Sequence, residues 1–308
     1  MRALVARPSA PHGLELGEVD APRPAPGEAL VAVRAVSLNR GEVRRLPQRQ
    51  EDTVPGWDVA GEVRAAAADG SGPAEGARVV GLVEEGAWAE LVAVRTDRLA
   101  ELPEGMSFEA ASTLPVAGLT ALRALAVAGP LLGRRVLVTG AAGGVGRFAV
   151  QLAHRGGAHV TGVVAGPDRG EGLPELGADE LIYELTPEGE PFDVILESVG
   201  GASLAAALNR VGPAGIVIAF GISSGEPTTF NVSGFYNKRG ARLYGLRVFH
   251  ELDRHLSGAR DLGFLADEVA AGRLDPQITL TASWREAGPA LEALIERRVR
   301  GKAVLTVD

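Results

Sequence analysis

The chain has no cysteine, and aromatic residues fill only 5% of its 308 positions. Without cysteine there is no disulfide and no thiolate-ligated zinc, structural or catalytic. The five histidines, His12, His154, His159, His250 and His255, form no ligand-spaced cluster, and His154 and His255 fall on helical patterns where they read as surface residues. Basic charge is also scarce. Lys and Arg total 31 against 39 Asp and Glu, a net charge of −8, which argues against a nucleic-acid surface because that needs a basic face. No window is long and apolar enough to span a bilayer. Met1-Arg2-Ala3-Leu4-Val5 passes directly into a strand-like pattern, with no apolar leader or small-residue cleavage site. The expectation is a soluble, cytoplasmic protein.

Glycine, by contrast, is abundant at 41 residues, and 46% of the chain is hydrophobic, enough for two domains with real cores. Up to about Leu102, short β-branched runs alternate with Pro and Gly: Ala29 to Val36, Val59 to Arg64, Arg78 to Val83 and Ala89 to Val94. This predicts a compact, mostly β domain. Pro22-Arg23-Pro24-Ala25-Pro26-Gly27 reads as an extended connection between strands, and Ala65 to Gly76 as an exposed hairpin loop. From Val136 onward, strands at Val136–Thr139, Val160–Val164, Glu180–Tyr183, Val194–Glu197, Ile216–Phe220 and Arg242–Leu246 alternate with helical patterns. That alternation predicts an α/β fold with a doubly wound parallel sheet. The tail, with helices at Asp261–Ala271 and Glu286–Arg297 and a last strand, is expected to return to the first domain.

The most informative stretch is Val136 to Gly146, Val-Leu-Val-Thr-Gly-Ala-Ala-Gly-Gly-Val-Gly, which leads into the helical run Arg147 to Ala153. An apolar strand, a turn of small residues and a helix let the backbone approach a pyrophosphate. The free N–H groups and positive dipole end of the helix then meet its charge. The second strand, His159 to Val164, follows at the distance a βαβ unit requires. The turn also fits the short-chain dehydrogenases when read as Thr139-Gly140-x-x-x-Gly144-x-Gly146. That family needs Tyr-x-x-x-Lys, and the residues four places after Tyr183, Tyr236 and Tyr244 are Pro187, Gly240 and Val248.

Read as Ala141-x-Gly143-Gly144-Val145-Gly146, the turn resembles that of the medium-chain dehydrogenase/reductases, especially their zinc-free quinone oxidoreductase branch. The resemblance runs along the chain through Val33 to Glu42, Pro55-Gly56-Trp57-Asp58-Val59-Ala60-Gly61, Leu114 to Ala121, Phe192 to Gly201 and Gly301-Lys302-Ala303-Val304-Leu305. It implies a GroES-like catalytic domain over residues 1–117, a Rossmann dinucleotide-binding domain over 118–255, and a return to the first domain over 256–308. Where zinc-dependent relatives carry a His-Glu pair, this chain has Trp57-Asp58 with no His nearby, so the resemblance implies no metal. The accessible reaction is then hydride transfer from a nicotinamide to an enone or a quinone, substrates that carry their own electron sink.

The resemblance brings Asn39 toward the nicotinamide; the alternative reading of Asn39 is a turn-capping residue at a strand end. Arg44 stands where quinone reductases often have Tyr, and it either stabilises an oxyanion or is a solvated surface arginine beside Arg45. Cofactor contacts are expected from Ala141, Gly143, Gly144, Val145 and Gly146 in the turn, from Val199, and from Thr120, Gly221 and Phe249 roofing the nicotinamide. Val163-Val164-Ala165-Gly166 offers no carboxylate to the ribose hydroxyls, and the resemblance places Arg169 where the family often has the Lys that pairs with a 2′-phosphate. NADPH is favoured, although Ala165 replaces the family's usual hydroxyl residue and Asp168 adjoins Arg169. Tyr183 is one place from the expected adenine-side Tyr. Asp193 and Glu197 read as solvated strand ends. Arg242 to Phe249 reads as an edge strand, from which a homodimer is expected. Two other readings stay open: an enoyl reductase for carrier-bound or polyketide-derived chains, and a non-catalytic NADPH-binding protein.

Overall fold

The computed structural model describes residues 1–308. In chain order the strands are β1 (Arg2–Ala6), β2 (Leu14–Glu18), β3 (Glu28–Leu38), β4 (Asp58–Ala65), β5 (Arg78–Leu82), β6 (Leu91–Arg95), β7 (Leu99–Glu101), β8 (Arg135–Thr139), β9 (His159–Val163), β10 (Glu180–Ile182), β11 (Phe192–Glu197), β12 (Val211–Ala219), β13 (Arg242–Gly245), β14 (Ile278–Ser283) and β15 (Lys302–Thr306). The helices are α1 (Arg40–Val43), α2 (Phe108–Ser112), α3 (Leu119–Ala128), α4 (Gly144–Arg155), α5 (Gly201–Arg210), α6 (Val232–Tyr236), α7 (Val248–His255), α8 (Gly258–Ala270) and α9 (Ala287–Ile295). No helix is long and apolar enough to cross a membrane. The chain divides into two compact units, Met1–Leu119 with Leu252–Asp308, and Thr120–Glu251.

The first unit is built on a mostly antiparallel sheet in the order β14-β15-β3-β4-β5-β7, with β6 also on β3. β3 alternates half-buried and buried residues through Val33 and then buries Ala35 to Leu38 without interruption. Its first half has one wet face; its second half is covered on both. Val31, Val33, Val36 and Leu38 join Val59, Val79, Trp88, Trp284, Leu291 and Leu305 in one core. Because the tail strand β15 pairs antiparallel with β3, placing Ala303 opposite Leu38, residues at the two ends of the sequence become neighbours.

The second unit is a six-stranded parallel sheet in the order β10-β9-β8-β11-β12-β13. β8 is followed in the chain by β9 on one side, while β11 pairs on its other side, so the winding reverses at the β8–β11 boundary. In an open α/β sheet that boundary, beyond the carboxyl ends of the strands, is the ligand crevice. Consecutive residues such as Val136-Leu137-Val138 and Val194-Ile195-Leu196 are all fully buried, so both faces of these strands are covered and the runs are apolar throughout. One expectation is corrected here. The strand expected over Arg242 to Phe249 stops at Gly245, and Val248 starts α7, because Val248, Phe249 and Leu252 bury one helical face.

Candidate functional site

In the second unit β8 runs into the turn at Gly140, whose backbone φ of +61° suits glycine, and α4 begins at Gly144. A Cβ at Gly146 would lie 2.4 Å from the Gly140 carbonyl oxygen and 2.7 Å from Ala141 Cα, so this glycine lets the helix sit against the turn. The Ala141 N–H donates to the Val163 carbonyl, tying the turn to the end of β9. The first N–H groups of a helix have no partner within it, and those of Gly144, Val145 and Gly146 therefore fit a pyrophosphate, with the positive dipole end behind them.

The carboxyl edge of the sheet gathers the other expected cofactor residues of this unit's loops. Val199 follows β11 and Gly221 follows β12, and a Cβ at Gly221 would lie 2.7 Å from the Ser198 carbonyl oxygen. The two loops are joined by Ser224 N–H to the Val199 carbonyl at 2.8 Å. Arg169, half buried, follows β9 in a short 3-10 turn, and Tyr183, exposed, follows β10. Thr120 on α3 and Phe249 on α7 are buried.

Glu197 departs from its reading as a solvated strand end. It is fully buried, and it accepts from Thr139 Oγ1 at 3.3 Å, Ser203 Oγ at 2.9 Å and the N–H groups of Val199 and Gly200 at 3.0 Å each. The chain after β11 folds back on its own carboxylate, so Glu197 fixes the loop that carries Val199. Asp193, half buried, accepts from the Arg135 N–H at 2.8 Å.

In the first unit Asn39 is the N-cap of α1, and a polar cluster surrounds it. Its Nδ2 donates to Asp58 Oδ2 at 2.7 Å and to Glu42 Oε1 at 3.1 Å, while its Oδ1 accepts from Lys302 Nζ at 2.9 Å. These partners settle which end of the carboxamide is oxygen, since an ammonium only donates and carboxylate oxygens accept. Both amide hydrogens are thereby occupied. Asp58, fully buried, also accepts from Ser37 Oγ at 2.5 Å, the Val116 N–H at 2.9 Å and Lys302 Nζ at 3.5 Å. Glu42, also fully buried, accepts the Asn39 N–H at 2.7 Å on Oε1, while Oε2 has no partner. Burial first, and then repulsion from Asp58, push the Glu42 carboxyl up to about 8. Burial pushes the Lys302 ammonium down, against the attraction of Asp58 and Glu42.

Arg44 lies exposed at the C-terminal end of α1, and the Arg45 guanidinium stands 5.5 Å from the centre of the Trp57 ring. Glu42, Asp58 and Lys302 are not among the site residues expected from the sequence. Two signals were available: Glu42 falls three residues after Asn39, the spacing of a capping box, and Asp58 and Lys302 are lone charges at the starts of apolar strands.

Zinc does not fit this unit. No group of three or more His, Asp or Glu residues is gathered where a metal could bind, and the carboxylate of Asp58 is already ringed by four donors.

Residues 25–104 match the family described as alcohol dehydrogenase GroES-like domain, and residues 144–259 match the family described as zinc-binding dehydrogenase. The quinone oxidoreductase of Pseudomonas aeruginosa is 30% identical, over 96% of each chain. The spectinabilin polyketide synthase system protein NorB of Streptomyces orinoci is 35% identical over 92% of this chain, which spans only 13% of that protein's length. Among solved structures, the quinone oxidoreductase from Coxiella burnetii superimposes with a TM-score of 0.87 at 27% identity, covering 100% of this chain and 99% of its own.

Proposed function

Because the chain belongs to the medium-chain dehydrogenase/reductase superfamily, in its quinone oxidoreductase-like branch, we propose that it is an NADPH-dependent, zinc-independent reductase of enones or quinones. The observation that carries this reading is the glycine turn and helix end at the winding reversal of the parallel sheet, in a chain with no donor set for a metal. NADPH, when bound, supplies the hydride that adds to the β-carbon of an enone or to a quinone. The protein's work is to bind, orient and polarise.

In this reading the N–H groups of Gly144, Val145 and Gly146 hold the pyrophosphate, and Arg169 meets the 2′-phosphate beyond Ala165, where no carboxylate repels it. Val199, Gly221, Thr120 and Phe249 enclose the nicotinamide end, and Ala141, Gly143 and Tyr183 lie along the rest of the cofactor. Asn39 has one free lone pair on Oδ1 and no free N–H, so it accepts a hydrogen bond and cannot stabilise an oxyanion. That task falls to Arg44, whose guanidinium carries the charge an enolate or quinol oxygen needs. The active form is a homodimer: β13 is an outer strand of its sheet, with Leu243 44% exposed, and pairing it with a second copy satisfies its open backbone groups.

The match to a stretch of a polyketide synthase protein favours a second reading, an enoyl reductase acting on a carrier-bound chain. NADPH oxidation against enones, quinones and enoyl thioesters separates the two. Fast turnover of free enones or quinones supports the first reading and turnover of thioesters alone the second. NADPH binding with no turnover of any class overturns both.

A further inference from the structure

Three ionisable side chains, Glu42, Asp58 and Lys302, meet in the first unit with almost no water: their exposures are 0%, 0% and 2%. They come from α1, β4 and β15, and the carboxamide of Asn39 touches all three. One ammonium can balance only one carboxylate, and an unmatched buried charge is costly. The hydrogen bonds show which acid keeps its charge. Asp58 is met by four donors spread over both oxygens, whereas Glu42 is met only on Oε1, and its Oε2 faces none. The proton therefore belongs on Glu42 Oε2.

We propose that Lys302, Asp58 and a proton-bearing Glu42 form a buried, charge-balanced triad that fixes the carboxamide of Asn39, making all three positioning residues for the reduction. Lys302 donates to Oδ1, and the two acids take the two N–H groups. Asn39 is thus held with one lone pair available and no freedom to flip. This rests on the reading of Asn39 as the polar contact beside the nicotinamide.

When Glu42 loses its proton, a second negative charge forms beside Asp58 with only Lys302 to answer it. Lys302 is then drawn between two carboxylates and away from Asn39 Oδ1, and the carboxamide loses its fixed orientation. Other charges packed against these elements do not compensate. α2, which packs on β3, β4 and β15, contributes only the half-buried Glu109. α9 contributes Glu292, with Glu296 just beyond its end, both exposed and both paired with Arg298. On α1 itself Arg40 donates to the Ile295 carbonyl, Arg34 on β3 pairs with Glu62, and Arg78 on β5 donates to the Met106 carbonyl.

The test uses the full-length protein, with kcat and NADPH affinity measured from pH 6 to 9.5. Wild type is expected to lose about tenfold in kcat between pH 7 and 9, centred near the Glu42 ionisation at about 8. Glu42→Gln keeps the shape and donor of the protonated acid but cannot ionise, so its kcat should be flat over the same range. Lys302→Met should lower kcat without weakening NADPH binding, and Lys302→Arg should restore part of it. If Lys302→Met does not fold, the Asp58→Asn/Lys302→Met double variant removes the ion pair as a unit, and the same kcat loss is expected.

Asn39→Ala is measured alongside. An impaired Asn39→Ala together with a Glu42→Gln protein that keeps the wild-type alkaline fall overturns the triad alone. Full turnover in Asn39→Ala overturns the Asn39 reading, and with it the positioning role. Loss of the alkaline fall in Glu42→Gln with Asn39→Ala impaired supports the proposal.

Discussion

Glu42→Gln also tests the buried triad through stability, with no reference to turnover. A carboxyl raised from 4.5 to about 8 in the fold holds a proton that the unfolded chain releases. At 1.36 kcal/mol per pH unit this amounts to roughly 5 kcal/mol. The sign follows from the raised value: the stabilisation is complete below pH about 4.5 and is lost as pH rises through about 8. Wild type should therefore lose stability relative to Glu42→Gln by roughly 2 to 3 kcal/mol between pH 5.5 and 7.5. Urea denaturation followed by tryptophan fluorescence is suited to this, because Trp57, Trp88 and Trp284 all lie in the unit that contains Glu42. Parallel stability curves for the two proteins over that range would show that Glu42 is ionised in the fold, and the charge argument would be refuted.

Arg169→Ala should raise the Kd for NADPH about tenfold or more while leaving NADH nearly unchanged, since the lost contact reaches only the 2′-phosphate; equal losses in a fluorescence titration refute the assignment. Asn39→Ala should lower kcat about tenfold or more with NADPH affinity intact, and Gly144→Val should mainly weaken NADPH binding, because its side chain enters the space assigned to the pyrophosphate. Light scattering at micromolar concentration should give twice the chain mass of 31.9 kDa, and Leu243→Lys on β13 should give monomers; a monomeric wild type contradicts the edge-pairing interface.

Much of the fold could be read in the sequence because its strands are bounded by glycine and proline and buried on both faces. Val136–Thr139 and Val194–Glu197 each lie within the observed strands, the former one residue and the latter two residues short at the start. The misreading at Arg242 to Phe249 has a local cause: a run rich in Leu, Val and aromatic residues suits a strand, and only the burial of Val248, Phe249 and Leu252 on one face makes it a helix. Glu197 is buried where the sequence predicts a solvated strand end: a carboxylate beside an apolar strand is usually wet, and the back-folded turn that buries it depends on Gly200 at φ +76° and Gly201 at φ +54°. The Asn39 cluster lay beyond local reasoning. Lys302 reaches Asn39 across 263 positions and Asp58 across 244, contacts that exist only once β15 has paired with β3.

The central claim is that hydride is delivered without a metal. It is tested most directly by dialysing the protein against a strong chelator, quantifying zinc in the same sample, and then measuring NADPH oxidation with enones and quinones. The account predicts undiminished turnover with no stoichiometric zinc. Activity that vanishes on chelation and returns when zinc is added would contradict it.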